Sequence, residues 1–214
     1  MLDFHTHIIP NVDDGASSLH ESIEMIKFLI NKGFNGVVVT PHANSLYYPK
    51  REILEQKREE ILKRIGTNFD IIIGYEVRID AIDVIDPHYF RIEKTNYILL
   101  ELDFLKKPKD IIEPFLKVIK VGLRPILAHP ERYHYLSLEE IKEIQNVGVL
   151  LQVNLKSLDG FYNSDIKLKA LKIFEICELI GSDAHNIEDY QKLKSFELYI
   201  DKNFSKYFKI FNIE

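Results

Sequence analysis

Apolar and polar positions along this chain follow two alternating rhythms. Short β-branched runs recur at Leu2–His7, Gly36–Thr40, Phe69–Glu76, Tyr97–Leu102, Pro125–His129, Val149–Asn154 and Glu178–Ser182, the signature of buried strands. Most are followed by charged stretches with helical periodicity, which predict helices over Ser18–Asn31, Pro49–Ile65, Pro108–Val121, Ser137–Val147, Ser164–Phe174 and Ile187–Ile200. Several of these open with Ser, Asn or Pro near the first turn, where a side-chain oxygen or a fixed φ favours helix entry. Between Arg78 and Asn96 the pattern breaks at Asp80, Asp83, Asp86 and Pro87, which predicts a loop with one short helix. The stretch from Lys202 to Lys209 reads as a terminal helix or tail packed on the rest. Strand alternating with helix predicts an α/β fold with a mostly parallel sheet. No linker, charge block or fixed-period repeat divides the chain, so residues 1–214 are expected to form a single domain.

Seven β/α units can close into a barrel or lie open as a doubly wound sheet. The polar residues at the strand ends bear on that choice. His5 and His7 end the first run, His42 follows the second, and Glu76, Glu101 and His129 end the third, fourth and fifth; Asp183 and His185 end the seventh. In a parallel barrel all of these open onto one C-terminal face, whereas an open sheet spreads them over roughly 30 Å at about 4.8 Å per strand. Each residue alone has an ordinary explanation, since alternate positions such as His5 and His7 share a face in any strand and Glu101 is an unremarkable surface carboxylate. Six such coincidences at one end of successive strands are a different matter. Imidazoles and carboxylates are ligands for Zn, Mn and Fe, and with Asp13 and Asp14 nearby the set exceeds the needs of one tetrahedral ion. A cluster of two or three ions sharing carboxylates is the economical interpretation.

Composition narrows the rest. There are 28 Lys+Arg against 33 Asp+Glu, a formal charge of −5, which disfavours a non-specific nucleic-acid binder relying on clustered cations. No apolar run approaches the roughly 20 residues of a membrane span, and the opening residues carry no leader pattern. A cytoplasmic protein is expected. The single cysteine, Cys177, suits a reducing compartment.

The run Asp3-Phe4-His5-Thr6-His7 through Asp13-Asp14-Gly15, with Thr40-Pro41-His42, Gly74-Tyr75-Glu76, Glu101-Leu102, Ala128-His129-Pro130-Glu131-Arg132-Tyr133 and Ser182-Asp183-Ala184-His185-Asn186, resembles the PHP (polymerase and histidinol phosphatase) family. Within that family it is most similar to the bacterial capsular-polysaccharide tyrosine phosphatases of the CpsB/YwqE type. The resemblance implies a distorted (β/α)7 TIM-like barrel with its metal site at the C-terminal face of the strands. It implies three divalent ions, usually manganese with Fe or Zn as alternatives, held by His5, His7, Asp14, His42, Glu76, Glu101, His129, Asp183 and His185. Arg132 is the implied phosphate-binding residue, suited to it by a planar fork that grips two oxygens; Arg78, two residues past Glu76, is a second substrate-binding candidate. Catalytic roles fall to Arg132, Asp14 and His42. The implied partner is a phosphotyrosine protein, a bacterial tyrosine kinase tail in capsule or exopolysaccharide synthesis.

No covalent nucleophile is needed. Cysteine-based tyrosine phosphatases use Cys-x5-Arg, but six residues after Cys177 comes Asp183, so Cys177 reads as a structural thiol. Two positions depart from the family pattern: Tyr190 stands where an arginine commonly follows the last histidine, and Asp103 stands where a proline often follows Glu-Leu. Tyr190 keeps open a second reading, a PHP phosphoesterase for a small phosphate ester of the histidinol-phosphate or sugar-phosphate type. A DNA-polymerase-like exonuclease domain is disfavoured by the acidic charge, and a non-enzymatic relative by the complete ligand set. Tyr47-Tyr48 and Phe161-Tyr162 are candidates for an aromatic wall around a tyrosine ring, or for rim packing. His134 is the one remaining histidine placed to touch substrate.

Overall fold

The computed structural model describes residues 1–66 and 68–198. The elements run in the order β1 (Leu2–Thr6), α1 (Leu19–Asn31), β2 (Gly36–Val39), β3 (His42–Ala43), α2 (Arg51–Ile65), β4 (Asp70–Ile73), β5 (Glu76–Arg78), β6 (Tyr97–Glu101), α3 (Glu113–Lys120), β7 (Arg124–Ala128), α4 (Leu138–Asn146), β8 (Leu150–Asn154), α5 (Leu155–Asp159), α6 (Ser164–Phe174), β9 (Leu179–Gly181) and α7 (Ile187–Lys192). Every strand pair is parallel. One sheet has the order β1-β2-β4 and the other β3-β5-β6-β7-β8-β9, and together they curl into a half-barrel with helices packed outside.

The chain changes sheets at two places. The expected run Gly36–Thr40 stops at Val39, and past Pro41, which has no N–H to offer a ladder, an unexpected short strand forms at His42–Ala43. The run Phe69–Glu76 divides at Gly74-Tyr75 into β4 and β5. Each break hands the chain from the first sheet to the second, and hydrogen bonds follow it across: Gly74 N donates to Val39 O at 2.9 Å and Glu76 N to Pro41 O at 3.1 Å. At the opposite seam Thr6 bridges Ala184, with Asp183 N donating to His5 O at 2.8 Å and His7 N to Ala184 O at 3.0 Å.

The helices begin where their first turns can be satisfied. Ser18 accepts from Glu21 N ahead of α1, and Ser137 with Glu140 forms a reciprocal capping box ahead of α4. The helix expected over Pro108–Val121 begins only at Glu113, since Asp110 Oδ1 takes the N–H groups of Ile112 and Glu113 and holds the preceding residues in a turn. Between Arg78 and Asn96 there are two short 3-10 turns, Ala81–Asp83 and Pro87–Phe90, in place of one helix. α5 was not expected, and α7 ends at Lys192 because Leu193 is extended. The predicted terminal segment Lys202 to Lys209 lies outside the described residues.

Inward faces such as Met25, Ile26 and Leu29 of α1 are fully buried, each contributing about 1.5–3 kcal/mol of transfer free energy. Among the described residues no helix is long and apolar enough to cross a membrane.

Candidate metal centre

The strand ends bring the predicted donors together. Glu76, 1% exposed, is the hub: its Oε2 lies 3.0 Å from His42 Nδ1, 3.3 Å from His5 Nε2 and 3.4 Å from His7 Nε2, and its Oε1 lies 2.6 Å from His129 Nε2. Asp183 Oδ1 faces His7 Nε2 at 3.5 Å and His5 Nε2 at 3.6 Å. Asp14 Oδ1 reaches His42 Nε2 at 3.3 Å and His185 Nε2 at 3.5 Å, while Glu101 Oε1 lies 3.8 Å from His129 Nε2. Three overlapping donor sets result, each with its ligand atoms within 4.8 Å of one another: His7, Asp14, His42 and His185; His5, His7, Glu76 and Asp183; His42, Glu76 and Glu101.

The outer partners of the histidines fix which nitrogen faces inward. Gln152 Nε2 donates to Val153 O and Asn154 Oδ1, so Gln152 Oε1 is left to accept from His5 Nδ1 at 2.9 Å. Asp13 Oδ2 accepts from His7 Nδ1 at 2.8 Å, and Asp183 O from His185 Nδ1 at 3.0 Å. With Nδ1 protonated in all three, each Nε2 presents a lone pair to the cluster. His5 Nε2 and His7 Nε2 are then 3.3 Å apart, two facing lone pairs that a metal ion or a proton between them satisfies. Glu76 Oε2 faces three imidazole nitrogens within 3.4 Å and no other donor, and His129 Nδ1 has no hydrogen-bond partner. This donor chemistry fits divalent ions held by imidazole and carboxylate.

The backbone is specialised to the same end. His129 (φ 34°) and Asp183 (φ 54°) sit in the left-handed region, where non-glycine residues are uncommon and strain is kept for function. Gly15 and Gly181 pass so close to His7 and His5 that a Cβ at either would collide with the histidine.

Electrostatics follow the geometry. Burial would lower the imidazole pKa values of His5 and His7, but Glu76 and Asp183 beside both, and Asp13 beside His7, raise them above the usual value. His42, opposed by burial but bonded to Asp14 and Glu76, is pushed up to about 10. Burial and the neighbouring Glu76 push Glu101 up to about 9, and burial takes His129 down to about 4. The cluster attracts positive charge, and protons supply it when metal does not.

Arg132 stands at the mouth of the cluster. Its NH1 donates to Asp183 Oδ2 at 2.9 Å, and its guanidinium is sandwiched between the rings of Phe104 at 4.5 Å and Tyr162 at 4.8 Å. It does not pair with Glu131, a buried carboxyl that accepts from Asn154 N and that burial raises to about 7. Arg78 lies next to the cluster with Asp80 gripping its Nε and NH2 at 2.7 and 2.9 Å. Tyr190 is fully buried on α7, its hydroxyl bonded to Asp3 Oδ2, Thr6 Oγ1 and Ser182 Oγ; it belongs to the core and not to a phosphate clamp. Asp103 Oδ1 caps the N–H groups of Leu105 and Lys106. His134 is exposed against Tyr135, and Cys177 is buried, its Sγ 3.5 Å from Phe174 O.

Sequence reasoning missed the orienting layer: Gln152, Asn154, which donates to Asp183 Oδ2 at 2.6 Å, and Phe104. Lys156, bonded to Asp189 at 2.6 Å, and Asp189, which accepts from His185 N at 2.9 Å, were missed as well. The signal for Gln152 and Asn154 was present as two amides at alternate positions in an otherwise apolar strand.

Residues 1–210 match the family described as capsular polysaccharide synthesis, CpsB/CapC. CapC of Staphylococcus aureus is 30% identical, covering 98% of this chain and 86% of its own. The tyrosine-protein phosphatase YwqE of Bacillus subtilis is 29% identical, covering 88% of this chain and 78% of its own. A crystal structure from the pair YwqE of Bacillus subtilis and CpsB of Streptococcus pneumoniae, described as metal-dependent tyrosine phosphatases, aligns with a TM-score of 0.83 at 26% identity over 99% of this chain and 95% of that one.

Proposed function

This chain belongs to the CpsB/CapC family of capsular polysaccharide synthesis, and from that membership and the donor cluster we propose that it is a metal-dependent phosphatase that hydrolyses protein phosphotyrosine. The observation that carries the reading is the convergence of His5, His7, His42 and His129 on the two oxygens of buried Glu76. The substrate protein is a bacterial tyrosine kinase of capsule or exopolysaccharide synthesis, met in the cytoplasm. The two sheets, hydrogen-bonded at both seams, are read as one distorted (β/α)7 barrel with the metal site at the C-terminal face of its strands.

In this reading His5, His7, Asp14, His42, Glu76, Glu101, His129, Asp183 and His185 hold three divalent ions, manganese by preference. Bound there, such ions supply Lewis-acid polarisation of the phosphoryl oxygens and an activated water at neutral pH. The chain's own residues do the rest. Arg132, fixed by two aromatic rings and by Asp183, turns its remaining N–H groups to the phosphoryl oxygens and stabilises the charge that spreads over them in an in-line displacement. Asp14 and His42 are the more exposed members of the cluster, with side chains 69% and 33% accessible. That position places these two ligands beside the point where the tyrosine oxygen leaves, so an ion they held would neutralise the developing phenolate. Phenol has a pKa of about 10, so the leaving group needs only this help. Tyr162 and Phe104, already stacked on Arg132, offer faces to the substrate ring. Arg78 is a supporting cation whose approach to phosphate requires release from Asp80.

The test is hydrolysis of a phosphotyrosine peptide by chelator-treated protein before and after manganese is restored, with and without thiol alkylation. Activity that returns with metal and ignores alkylation is expected. Activity that survives complete removal of metal, or that alkylation of Cys177 abolishes, overturns the proposal.

A further inference from the structure

Beside the donor cluster, on its β5 and β6 side, lies a cleft of about 460 Å³ of which the chemistry above uses only Arg78. It opens between the Ala81–Asp83 turn, the chain from Asp103 to Asp110 and the start of α3. Its inner wall is Arg78, two residues along β5 from Glu76 and in register with Glu101 of β6, so the cleft lies next to the site. Its apolar lining comes from Ile79, Ile82, Pro108 and Pro114.

Two exposed leucines neighbour the lining residues. Leu46 is 93% exposed and Leu105 is 90% exposed, the two highest values among the large apolar side chains of the described residues. Leu46 follows Ser45, whose N–H and hydroxyl both bond Asp80 in the cleft wall; Leu105 lies between the lining residues Asp103 and Lys106. Neither is on a loose loop. Asn44 Oδ1 accepts from Leu46 N and Tyr47 N at 2.9 Å each, and Asp103 Oδ1 from Leu105 N and Lys106 N at 2.8 Å each. Apolar side chains held out beside a site and rimmed by polar residues mark an interaction surface.

Charge indicates what the surface receives. The carboxylates lining the cleft already have donors: Asp80 holds Arg78, Asp83 and Glu113 hold Lys117, and Asp103 and Asp110 cap backbone N–H groups. Lys106 and Lys109 line it with no ion pair among the described residues. Those two ammonium groups are the lining cations left to meet a carboxylate of a ligand.

Resting on the phosphotyrosine reading above, we propose that this cleft binds the polypeptide flank of the phosphorylated tyrosine. An acidic residue of the substrate lies against Lys106 and Lys109, and apolar side chains lie between Leu46 and Leu105. An extended segment advances about 3.3 Å per residue, so the residues next to the phosphotyrosine reach the cleft directly from the metal site. Selectivity among phosphoproteins is set here, apart from the groups that touch phosphate.

Three substrates test it: p-nitrophenyl phosphate, which fills only the metal site; a phosphotyrosine peptide with acidic and apolar flanks; and the same peptide with lysines in place of its acids. The variants are Leu46→Ser with Leu105→Ser, and Lys106→Glu with Lys109→Glu, all exposed positions whose change leaves the core intact. Each pair is expected to raise KM for the acidic peptide by about tenfold, the loss typical of one or two interface contacts, with kcat and p-nitrophenyl phosphate turnover unchanged. The lysine peptide regains affinity for the glutamate variant. Peptide KM values that do not move, or a wild type indifferent to the flanks, overturn the docking while leaving the phosphatase intact. A wild type that cleaves none of the three substrates with metal supplied overturns the phosphatase reading itself.

Discussion

Replacing Arg132 by lysine keeps the charge and removes the fork, and its effect can be worked out from the contacts. The guanidinium lies 4.5 Å from the Phe104 ring centre and 4.8 Å from that of Tyr162, and one of its nitrogens is committed to Asp183 at 2.9 Å. A lysine ammonium presents its three donors from a single atom, so it cannot hold Asp183 and two phosphoryl oxygens together, and it stacks poorly on either ring. Loss of one charge-assisted hydrogen bond in the transition state costs about 1.5–3 kcal/mol, and loss of a partly exposed cation–π contact about 0.5–1 kcal/mol. The total of about 2–4 kcal/mol corresponds to a fall in kcat/KM of about 30- to 1000-fold. The assay is steady-state hydrolysis of p-nitrophenyl phosphate and of a phosphotyrosine peptide at saturating manganese, with bound metal measured on the same samples. Because Arg132 acts on the phosphoryl group common to both substrates, both rates fall together and the metal content stays at the wild-type value. A variant within about threefold of wild type on both substrates refutes the role assigned to the fork, and a variant that has lost its metal makes Arg132 a structural residue instead.

Asp13→Asn leaves His7 Nδ1 and the His42 N–H, now bonded to Asp13 Oδ2, facing a weaker acceptor; a chelator competition titration is expected to show metal affinity reduced by about 10- to 100-fold, and unchanged affinity contradicts the orienting role. Stripped of metal, the protein loses stability as pH rises. His42, opposed by burial but held up by Asp14 and Glu76, has its pKa raised from 6.5 to about 10. Glu101, desolvated and beside Glu76, is raised from 4.5 to about 9. Both folded values exceed the unfolded ones, so the stabilisation is complete below the unfolded values, declines as pH climbs from about 6.5 and is gone above about 10. The Tm of chelated protein is therefore expected to fall over that window while that of metal-loaded protein does not follow it, and a chelated protein that gains Tm there defeats the assignment. Tyr190→Phe removes the donor to buried Asp3 and is expected to cost about 1–3 kcal/mol in denaturant unfolding with kcat/KM intact; a matching loss of activity returns Tyr190 to the site.

The donor cluster was legible because each member ends an apolar run, and parallel strands that curl together deliver their ends to one place. His5, His7, His42, Glu76, Glu101, His129, Asp183 and His185 needed only that regularity. Asp14 needed the loop after β1 to fold back, which Gly15 permits by its close approach to His7. The breaks at Pro41 and Gly74 were not legible as a change of sheet, since a proline or glycine in a strand pattern marks an interruption without saying where the chain resumes. The orienting layer was hidden for a similar reason. Gln152 and Asn154 lie on β8, far in sequence from His5 and Asp183, and only strand register brings them into contact. Tyr190 read as a lost clamp because the pattern of a helix does not reveal which face meets the hydroxyl partners Asp3, Thr6 and Ser182.

The most direct measurement is metal content and phosphotyrosine-peptide hydrolysis of Glu76→Gln beside wild type, each loaded with manganese and freed of excess by gel filtration. Glu76 has four histidine nitrogens within 3.4 Å of its two oxygens, and an amide offers them one acceptor and no charge. The account predicts that the variant folds, keeps fewer ions per chain than wild type and loses hydrolysis of the peptide. A Glu76→Gln protein that retains the full wild-type metal content and the full wild-type rate contradicts it.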